Sequence, residues 1–378
     1  MGTKILDVQR IVKSFNDMLV IDHVSFTVKQ NNLLVLAGPS NSGKTTLLRL
    51  LSGLDLPDEG DIFLNRARIT FADPSNRNIA MVTQNYGRLS HSTVYESLAH
   101  ALRFQRLNKK ETKLYIESAL EMLELQKIQA SSLTSLSGGE LQRVAIARAM
   151  VKNVDLYLFD EPITQLDPHT LHRVHQAMLL VPRLKQALGI YATQNPAEAF
   201  AIASQIAILD QGKIHQIGTP DQILQQPANL FVAQFLSQPL LNQLDGTITS
   251  CDTGYVLQTD GLSIPLATNW ASILTAPGSS AQVIVGIRPN IIILEWALKS
   301  IDTTKFIILS AHIVHIALLL GKWTIQLHIG HQTQLIAEIK DINNPNIQPG
   351  KIVDIGIDPA HIYLFNSQTE ELLFPDKT

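Results

Sequence analysis

Three short apolar runs punctuate the N-terminal part of the chain, and each ends on a glycine or a polar residue. They are "NLLVLAG" (Asn32–Gly38), "VDLYLFDE" (Val154–Glu161) and "IYAT" (Ile190–Thr193). Continuous apolar runs of this length, without alternation, predict strands of a parallel sheet covered on both faces. Amphipathic segments follow the runs, so residues 1 to about 235 read as α/β. Between Val94 and Ile128 the pattern turns helical and includes the charge-rich "NKKETKLYIESALEMLELQKI". This predicts an all-helical insertion at about 86–150 within the α/β body.

At "QPLLNQLDG" (Gln238–Gly246) the helical period gives way to short β-branched runs separated by turn residues. Two domains are expected, 1–236 and 237–378, the second all-β. Within the second, "VGIRPNIIIL" (Val285–Leu294) returns as "IGIDPAHIYL" (Ile355–Leu364). Glycine and proline match at the same offsets, which predicts two copies of one small β unit. The longest apolar run, "FIILSAHIVHIALLLG" (Phe306–Gly321), is interrupted by Ser310, His312 and His315. It is shorter than the ~20 residues a membrane span needs and reads as a strand pair. The chain is expected to be soluble, or to sit on a membrane only through partners.

Composition narrows the function classes. With 378 residues, 45% hydrophobic and 17% charged, the chain can bury a sizeable core. Its net charge of −3 gives no overall attraction for nucleic acid or anionic lipid. Residues 241–378 carry 7 Lys and Arg against 12 Asp and Glu. That is the wrong sign for a phosphate-binding groove. Trp270, Trp296 and Trp323 are therefore read as β-domain core and not as base-stacking platforms. A lone cysteine, Cys251, excludes an internal disulfide and points to a reducing compartment. The first residues, "MGTKILDVQR", lack the apolar core of a signal peptide. Leu6 stands where a myristoylation motif wants Ser or Thr.

Candidate chemistry concentrates at the ends of the apolar runs. "GPSNSGKTT" comprises Gly38, Pro39, Ser40, Asn41, Ser42, Gly43, Lys44, Thr45 and Thr46. It fits the P-loop pattern between a strand and a helix. Backbone N–H groups of such a loop cradle phosphates, Lys44 reaches the outer ones, and Thr45 offers its hydroxyl to Mg²⁺. Asn41 occupies a position where glycine is common; if positive φ is needed there, Asn tolerates it best after glycine. In "LYLFDEP" (Leu156–Pro162), Asp160 would hold Mg²⁺, and Glu161 suits a general base on an attacking water. In "LSGGELQRVAIARA" (Leu136–Ala149), Ser137, Gly138 and Gly139 open a helix whose exposed N–H groups can bind an anion.

With these three motifs the chain resembles the ATP-binding subunits of ABC transporters, whose signature is LSGG followed by Gln or Glu, here Glu140. The resemblance implies ATP and Mg²⁺ as ligands and a head-to-tail dimer, in which one copy's signature completes the ATP site on the P-loop of the other. It assigns Phe15 in "VKSFND" to stacking on adenine. Gln84 in "VTQNYG" becomes the glutamine that contacts Mg²⁺ or water and senses the membrane subunits. Asp167 in "ITQLDP" becomes the D-loop aspartate, with Thr164 where the family usually has Ser. "GTPDQILQQPANLFVAQFL", "GIRPNIIIL" and "QPGKIVDIGIDPAHIYLF" follow the maltose-type importers, whose ATPases end in a tandem OB-type regulatory domain. The likeness thus extends over nearly the whole chain.

One position departs. Where the family has Thr-His-Asp, this chain has Thr193-Gln194-Asn195. The histidine of that pattern bonds the γ-phosphate. Gln reaches its Nε2 from Cβ through as many bonds as His reaches its own, so the donor keeps its reach but loses its charge. Asn195 gains no role from the sequence. The reading is an ATPase that energises an importer of sugars or a glycerol phosphate, with reduced turnover. Polyamine, iron(III), sulfate or molybdate import stays open, as does a hydrolysis-impaired nucleotide switch. The implied partners are a second copy of the chain, two transmembrane permease subunits and, indirectly, an extracytoplasmic solute-binding protein. The implied location is the cytoplasmic face of the inner membrane, held peripherally.

Overall fold

The computed structural model describes residues 3–30, 32–83, 93–103, 105, 107–163, 168–251, 254–260, 262–266, 280–298, 302–319, 321–330, 333–340 and 347–374. The chain divides into two compact units, Met1–Ile223 and Leu224–Thr378.

In the first unit an antiparallel sheet is built from β1 (Ile5–Phe15), β2 (Met18–Lys29), β4 (Glu59–Leu64) and β5 (Ala67–Arg68), in the order β2-β1-β4-β5. A second sheet holds β3 (Leu33–Ala37), β6 (Ile79–Val82), β7 (Leu156–Asp160), β8 (Leu188–Thr193), β9 (Gln205–Asp210) and β10 (Lys213–Gly218). Its order is β10-β9-β3-β8-β7-β6, parallel throughout except between β9 and β10. Every residue of β3, β7 and β8 is buried, as unbroken apolar runs require of strands covered on both faces. Helices connect the strands: α1 (Lys44–Ser52) after β3, α5 (Pro168–Leu184) after β7, α6 (Pro196–Ile202) after β8 and α7 (Pro220–Gln225) after β10. Three helices, α2 (Val94–Leu102), α3 (Lys109–Met122) and α4 (Gly138–Met150), stand together between β6 and β7 as the expected insertion.

The position of α1 is fixed from both ends. Leu47, Leu48, Leu50 and Leu51 are all fully buried between the sheets. Truncating one of them to Ala would cost about 2–5 kcal/mol. At the C-terminal end, the guanidinium of the buried Arg77 donates to the carbonyls of Leu50 (2.7 Å) and Leu51 (2.9 Å). It also donates to those of Thr70 (2.8 Å) and Ala72 (2.9 Å). A buried charge is tolerated when its donors are matched in this way. Gly53 (φ 82°) lets the chain turn there; a Cβ would meet Arg77 Nε at 2.5 Å.

The first complete helix of the second unit is α8 (Leu230–Phe235). Leu230 and Ala233 join Leu241 and Phe365 in one apolar cluster, so the division between units falls ahead of 236/237. Two five-stranded antiparallel sheets follow. One contains β11 (Asn242–Cys251), β12 (Gly254–Thr259), β13 (Leu262–Leu266), β14 (Ser280–Ile287) and β20 (Tyr363–Asn366). The other contains β15 (Ile293–Leu294), β16 (Ile307–Leu319), β17 (Lys322–Ile329), β18 (Thr333–Ile339) and β19 (Ile352–Ile357), with α9 (Glu295–Leu298) after β15. The repeat is explicit: each copy is a strand, a 3₁₀ turn opening on proline, and a second strand. The two copies pair reciprocally. Val285 faces Leu364 and Gly286 faces Tyr363, while Leu294 faces Ile355 and Ile293 faces Gly356. Each copy therefore gives one strand to each sheet, and one apolar core serves both sheets. The run Phe306–Gly321 corrects an expectation. It is not a strand pair but a single 13-residue strand, β16, because no turn residue intervenes before Gly321 (φ 77°). Trp296 packs against the core, Trp323 is half-buried in β17, and Trp270 lies outside the described residues.

Candidate active site

The C-terminal ends of β3, β7 and β8 lie side by side, and the chemistry-bearing residues follow each of them. The Gly38 N–H donates to the Thr193 carbonyl (3.3 Å), and a Cβ at Gly38 would meet the Leu209 carbonyl oxygen at 2.0 Å. Glycine is therefore required by the chain's own backbone. Two residues of the loop are left-handed, Asn41 (φ 65°) and Gly43 (φ 105°). Asn thus stands where the loop demands positive φ, as its side chain permits.

The helix that follows this loop differs from its neighbours. Capping boxes close α2 through Thr93 and Glu96, α3 through Asn108 and Glu111, and α4 through Ser137 and Glu140. By contrast, α1 has no side-chain cap and no acid in its first turn. Its N–H groups keep their positive potential for an external anion. The Ser42 hydroxyl in the same loop is buried and has no hydrogen-bond partner among the described residues. Pro39 and Thr46 are half-buried, and Ser40 is exposed.

Lys44, only 5% exposed, donates to the carbonyls of Gly38 (2.9 Å) and Pro39 (2.8 Å). Its Nζ lies 3.7 Å from Glu161 Oε1. Burial pulls the Lys44 pKa down, against the opposing pull of Glu161 and Asp160. Next to it the Thr45 hydroxyl donates to Asp160 Oδ1 (3.0 Å). Asp160 is 2% exposed, and burial pushes its carboxyl above the usual range. The nearby Glu161 charge adds to this, while Thr45, Lys44 and Arg49 pull the other way. Lys44 and Asp160 are therefore held in a site that disfavours uncompensated charge, which a polyphosphate and a cation would relieve together. Glu161 follows at φ 42°, and its N–H donates to the Ala192 carbonyl (3.0 Å).

At the end of β8, Gln194 is exposed and its Oε1 accepts from the Ser40 hydroxyl at 2.6 Å. The departing residue thus sits against the P-loop. Asn195 gains a role: its Oδ1 accepts from the Ala197 N–H (3.0 Å), which makes it the N-cap of α6. Asn and Asp serve this position about equally. Glu198, one turn into α6, was not legible as a site residue. It gathers the hydroxyls of Tyr191 and Thr193 and lies 3.0 Å from His175 Nε2 on α5. Burial favours the acid, but the bonds from His175, Thr193 and Tyr191 outweigh it and hold the carboxyl below its usual range. Glu198, Thr193, His175 and Gln194, with Glu161 and His172, line a cleft of about 760 Å³.

The corner of Ser137, Gly138, Gly139 and Glu140 stands apart from the P-loop. The Glu140 carboxylate accepts from the Ser137 N–H (2.8 Å) and hydroxyl (2.6 Å), so the helix supplies its own anion. These bonds hold Glu140 below its usual range. Among the described residues a Cβ at Gly138 would meet nothing within 4 Å, so none of them requires glycine there. Further along α4, the buried Gln142 donates to the Pro162 carbonyl, linking α4 to the segment after Glu161. Phe15 ends β1 44% exposed, with Lys13 Nζ 5.2 Å from its ring centroid. Asp58 fixes this end of the strand, accepting from Lys13 Nζ and the Ser14 N–H, both at 2.7 Å. Gln84, Thr164 and Asp167 lie outside the described residues.

A strand, a glycine-rich loop with its lysine, an uncapped helix and a Thr–Asp pair behind them define the class of P-loop nucleotide-binding ATPases. Residues 21–164 match the ABC transporter family. The chain is 34% identical over 286 residues to the sn-glycerol-3-phosphate import ATP-binding protein UgpC of Yersinia pseudotuberculosis serotype I (strain IP32953), covering 75% of this chain and 78% of that one. It is 37% identical over 252 residues to the spermidine/putrescine import ATP-binding protein PotA of Lawsonia intracellularis (strain PHE/MN1-00), covering 66% and 67%. A solved ATP-binding subunit of an ABC transporter superposes with a TM-score of 0.54 at 26% identity, covering 58% of this chain and 91% of that one. The chain belongs to the ATP-binding proteins of ABC transporters. Among the described residues no helix is long and apolar enough to cross a membrane.

Proposed function

We propose that the chain hydrolyses ATP to drive import of a sugar or a glycerol phosphate through separate membrane-spanning chains, held peripherally at their cytoplasmic side. The observation that carries this reading is the Thr45–Asp160 contact of 3.0 Å behind an uncapped α1, with Lys44 and Glu161 beside it. Phosphates would sit on the N–H groups of the loop from Gly38 to Thr46, with Lys44 turning from the loop carbonyls to the outer phosphate. Two neighbouring hard oxygens, from Thr45 and Asp160, suit Mg²⁺, which takes few protein ligands and completes its shell with phosphate and water. That ion would neutralise charge between the outer phosphates.

Glu161 would take the proton of the attacking water, and Gln194 would donate an amide N–H to the terminal phosphate. Gln84 would contact the metal or the water, and Phe15 would stack on adenine. Ser137, Gly138 and Gly139, with Asp167, would act on the ATP of a second copy, whose phosphate would displace the Glu140 carboxylate from the Ser137 N–H and hydroxyl. The open space over Gly138 supports such an approach from outside the chain. The likeness to the glycerol-phosphate import protein, at 34% identity, favours that solute class. Polyamine import is the second reading, favoured by the match to the spermidine/putrescine protein.

Reconstitution with permease chains and a solute-binding protein that co-purify with it tests both readings. ATP-dependent uptake of sn-glycerol 3-phosphate or a sugar is expected. Uptake of spermidine alone would move the assignment to the second reading. ATP hydrolysis that no solute stimulates would sink the import reading.

A further inference from the structure

The Ser40–Gln194 hydrogen bond has a direction. At 2.6 Å the serine hydroxyl meets the oxygen of the amide and not its nitrogen. Among the described residues, Gln194 Nε2 has no hydrogen bond of its own. An amide has two unlike ends: the oxygen only accepts, and the nitrogen only donates. A phosphate oxygen needs a donor, so the side chain is useful there in only one of its two orientations. The terminal torsion of Gln is broad and roughly two-fold, so nothing in the side chain itself selects that orientation.

The backbone around Gln194 is already fixed. Thr193 is held through its hydroxyl by Glu198, and the Asn195 N–H donates to the Thr193 hydroxyl (3.0 Å). Asn195 is in turn committed as the α6 cap. On the other side, the Gly38 N–H is tied to the Thr193 carbonyl (3.3 Å), so the strand end and the loop that carries Ser40 move as one. Only the side-chain torsions of Gln194 stay undetermined.

We propose that Ser40 is a positioning residue for Gln194: its hydroxyl holds the amide oxygen so that the N–H₂ end is presented to the terminal phosphate of ATP. The assignment rests on the reading of the P-loop as the phosphate site. It explains how an uncharged side chain with three torsions keeps a defined donor at this position. It also makes a residue of the loop itself responsible for sensing the third phosphate.

The test uses the full chain and titration calorimetry with Mg²⁺ and two ligands, ADP and a non-hydrolysable ATP analogue. Parent, Ser40→Ala, Gln194→Ala and the double variant are compared by the ratio of the two affinities. A net hydrogen bond is worth roughly 3- to 10-fold in affinity. Ser40→Ala and Gln194→Ala should each lower the preference for the triphosphate by about that factor. The double variant should fall no further than Gln194→Ala alone, since the two residues act through one contact. An unchanged ratio in Ser40→Ala, or fully additive losses in the double variant, would overturn the proposal. A parent that binds neither ligand would overturn the phosphate-site reading and the proposal with it.

Discussion

At Ser137 the anion of the helix start is already present as Glu140. Its carboxylate takes both the N–H and the hydroxyl, at 2.8 and 2.6 Å. A phosphate brought by a second copy must replace a charge that is fully ionised at neutral pH, because those bonds hold Glu140 below its usual range. Glu140→Gln keeps an acceptor for the capping box and removes the competing charge. The expected outcome in the assembled complex is a KM for ATP lower by about 2- to 5-fold, the size of a ~0.5–1 kcal/mol dipole term. A higher KM for ATP would show that Glu140 helps to bind nucleotide and does not compete with it. Much at this scale was legible beforehand. The demand for positive φ at Asn41 follows from local pattern, and Lys44 and Thr45 are grouped with Asp160 and Glu161 because two motifs, each at the end of an apolar run, announce them. Glu198, His175 and Arg77 do not, because their partners sit on separate elements and no spacing announces them. Asn195 was within reach of the sequence: an Asn directly before a proline that opens a helix is an N-cap signal, and it is the N-cap of α6.

Between elements, α4 is tied to the core at both ends. Gln142 reaches the Pro162 carbonyl near its start. At its finish Lys185, just past α5, donates to the carbonyls of Met150, Val151 (3.2 Å) and Lys152 (2.7 Å). A cation at a helix C-terminus is favourable, but burial pushes this one down to about 8 from 10.5. Lys185→Met leaves those carbonyls without their donor, and a loss of about 1–3 kcal/mol in unfolding free energy is expected. The pH dependence has a definite sign. Between pH 8 and 10.5 the unfolded parent holds a proton that the folded parent has released, so its stability rises with pH through that window. The gap between parent and variant, measured by denaturant unfolding, should therefore widen from pH 8 to pH 10. A gap that narrows would mean that the carbonyls keep Lys185 charged. The β16 strand shows the opposite limit of sequence reading: apolar length and interrupting histidines marked it as β, but only Gly321 determined where it turns.

For the whole molecule, the parallel sheet, its helical insertion and the all-β second unit follow the hydrophobic pattern closely. That pattern is set by burial, which acts everywhere along the chain. The repeat was visible as matched glycine and proline, whereas its use was not. Reciprocal pairing of Val285 with Leu364 and of Leu294 with Ile355 interlocks the two sheets, so neither copy completes its sheet alone. The division between units was displaced because α8 packs on Leu241 and Phe365, contacts that no local pattern announces.

On the function proposed above, Glu161 is the base of the ATPase and the uncharged Gln194 limits its rate. Phosphate release by the chain assembled with its permease partners tests it most directly, with parent, Glu161→Gln and Gln194→His side by side. Removing the base is expected to lower kcat by roughly 10²- to 10⁴-fold. Restoring an ionisable donor is expected to raise kcat by up to roughly 30- to 150-fold, the equivalent of about 2–3 kcal/mol in the transition state. A parent with no activity above Glu161→Gln would rule out Glu161 as the base, and a histidine variant no faster than the parent would rule out Gln194 as the limit on the rate.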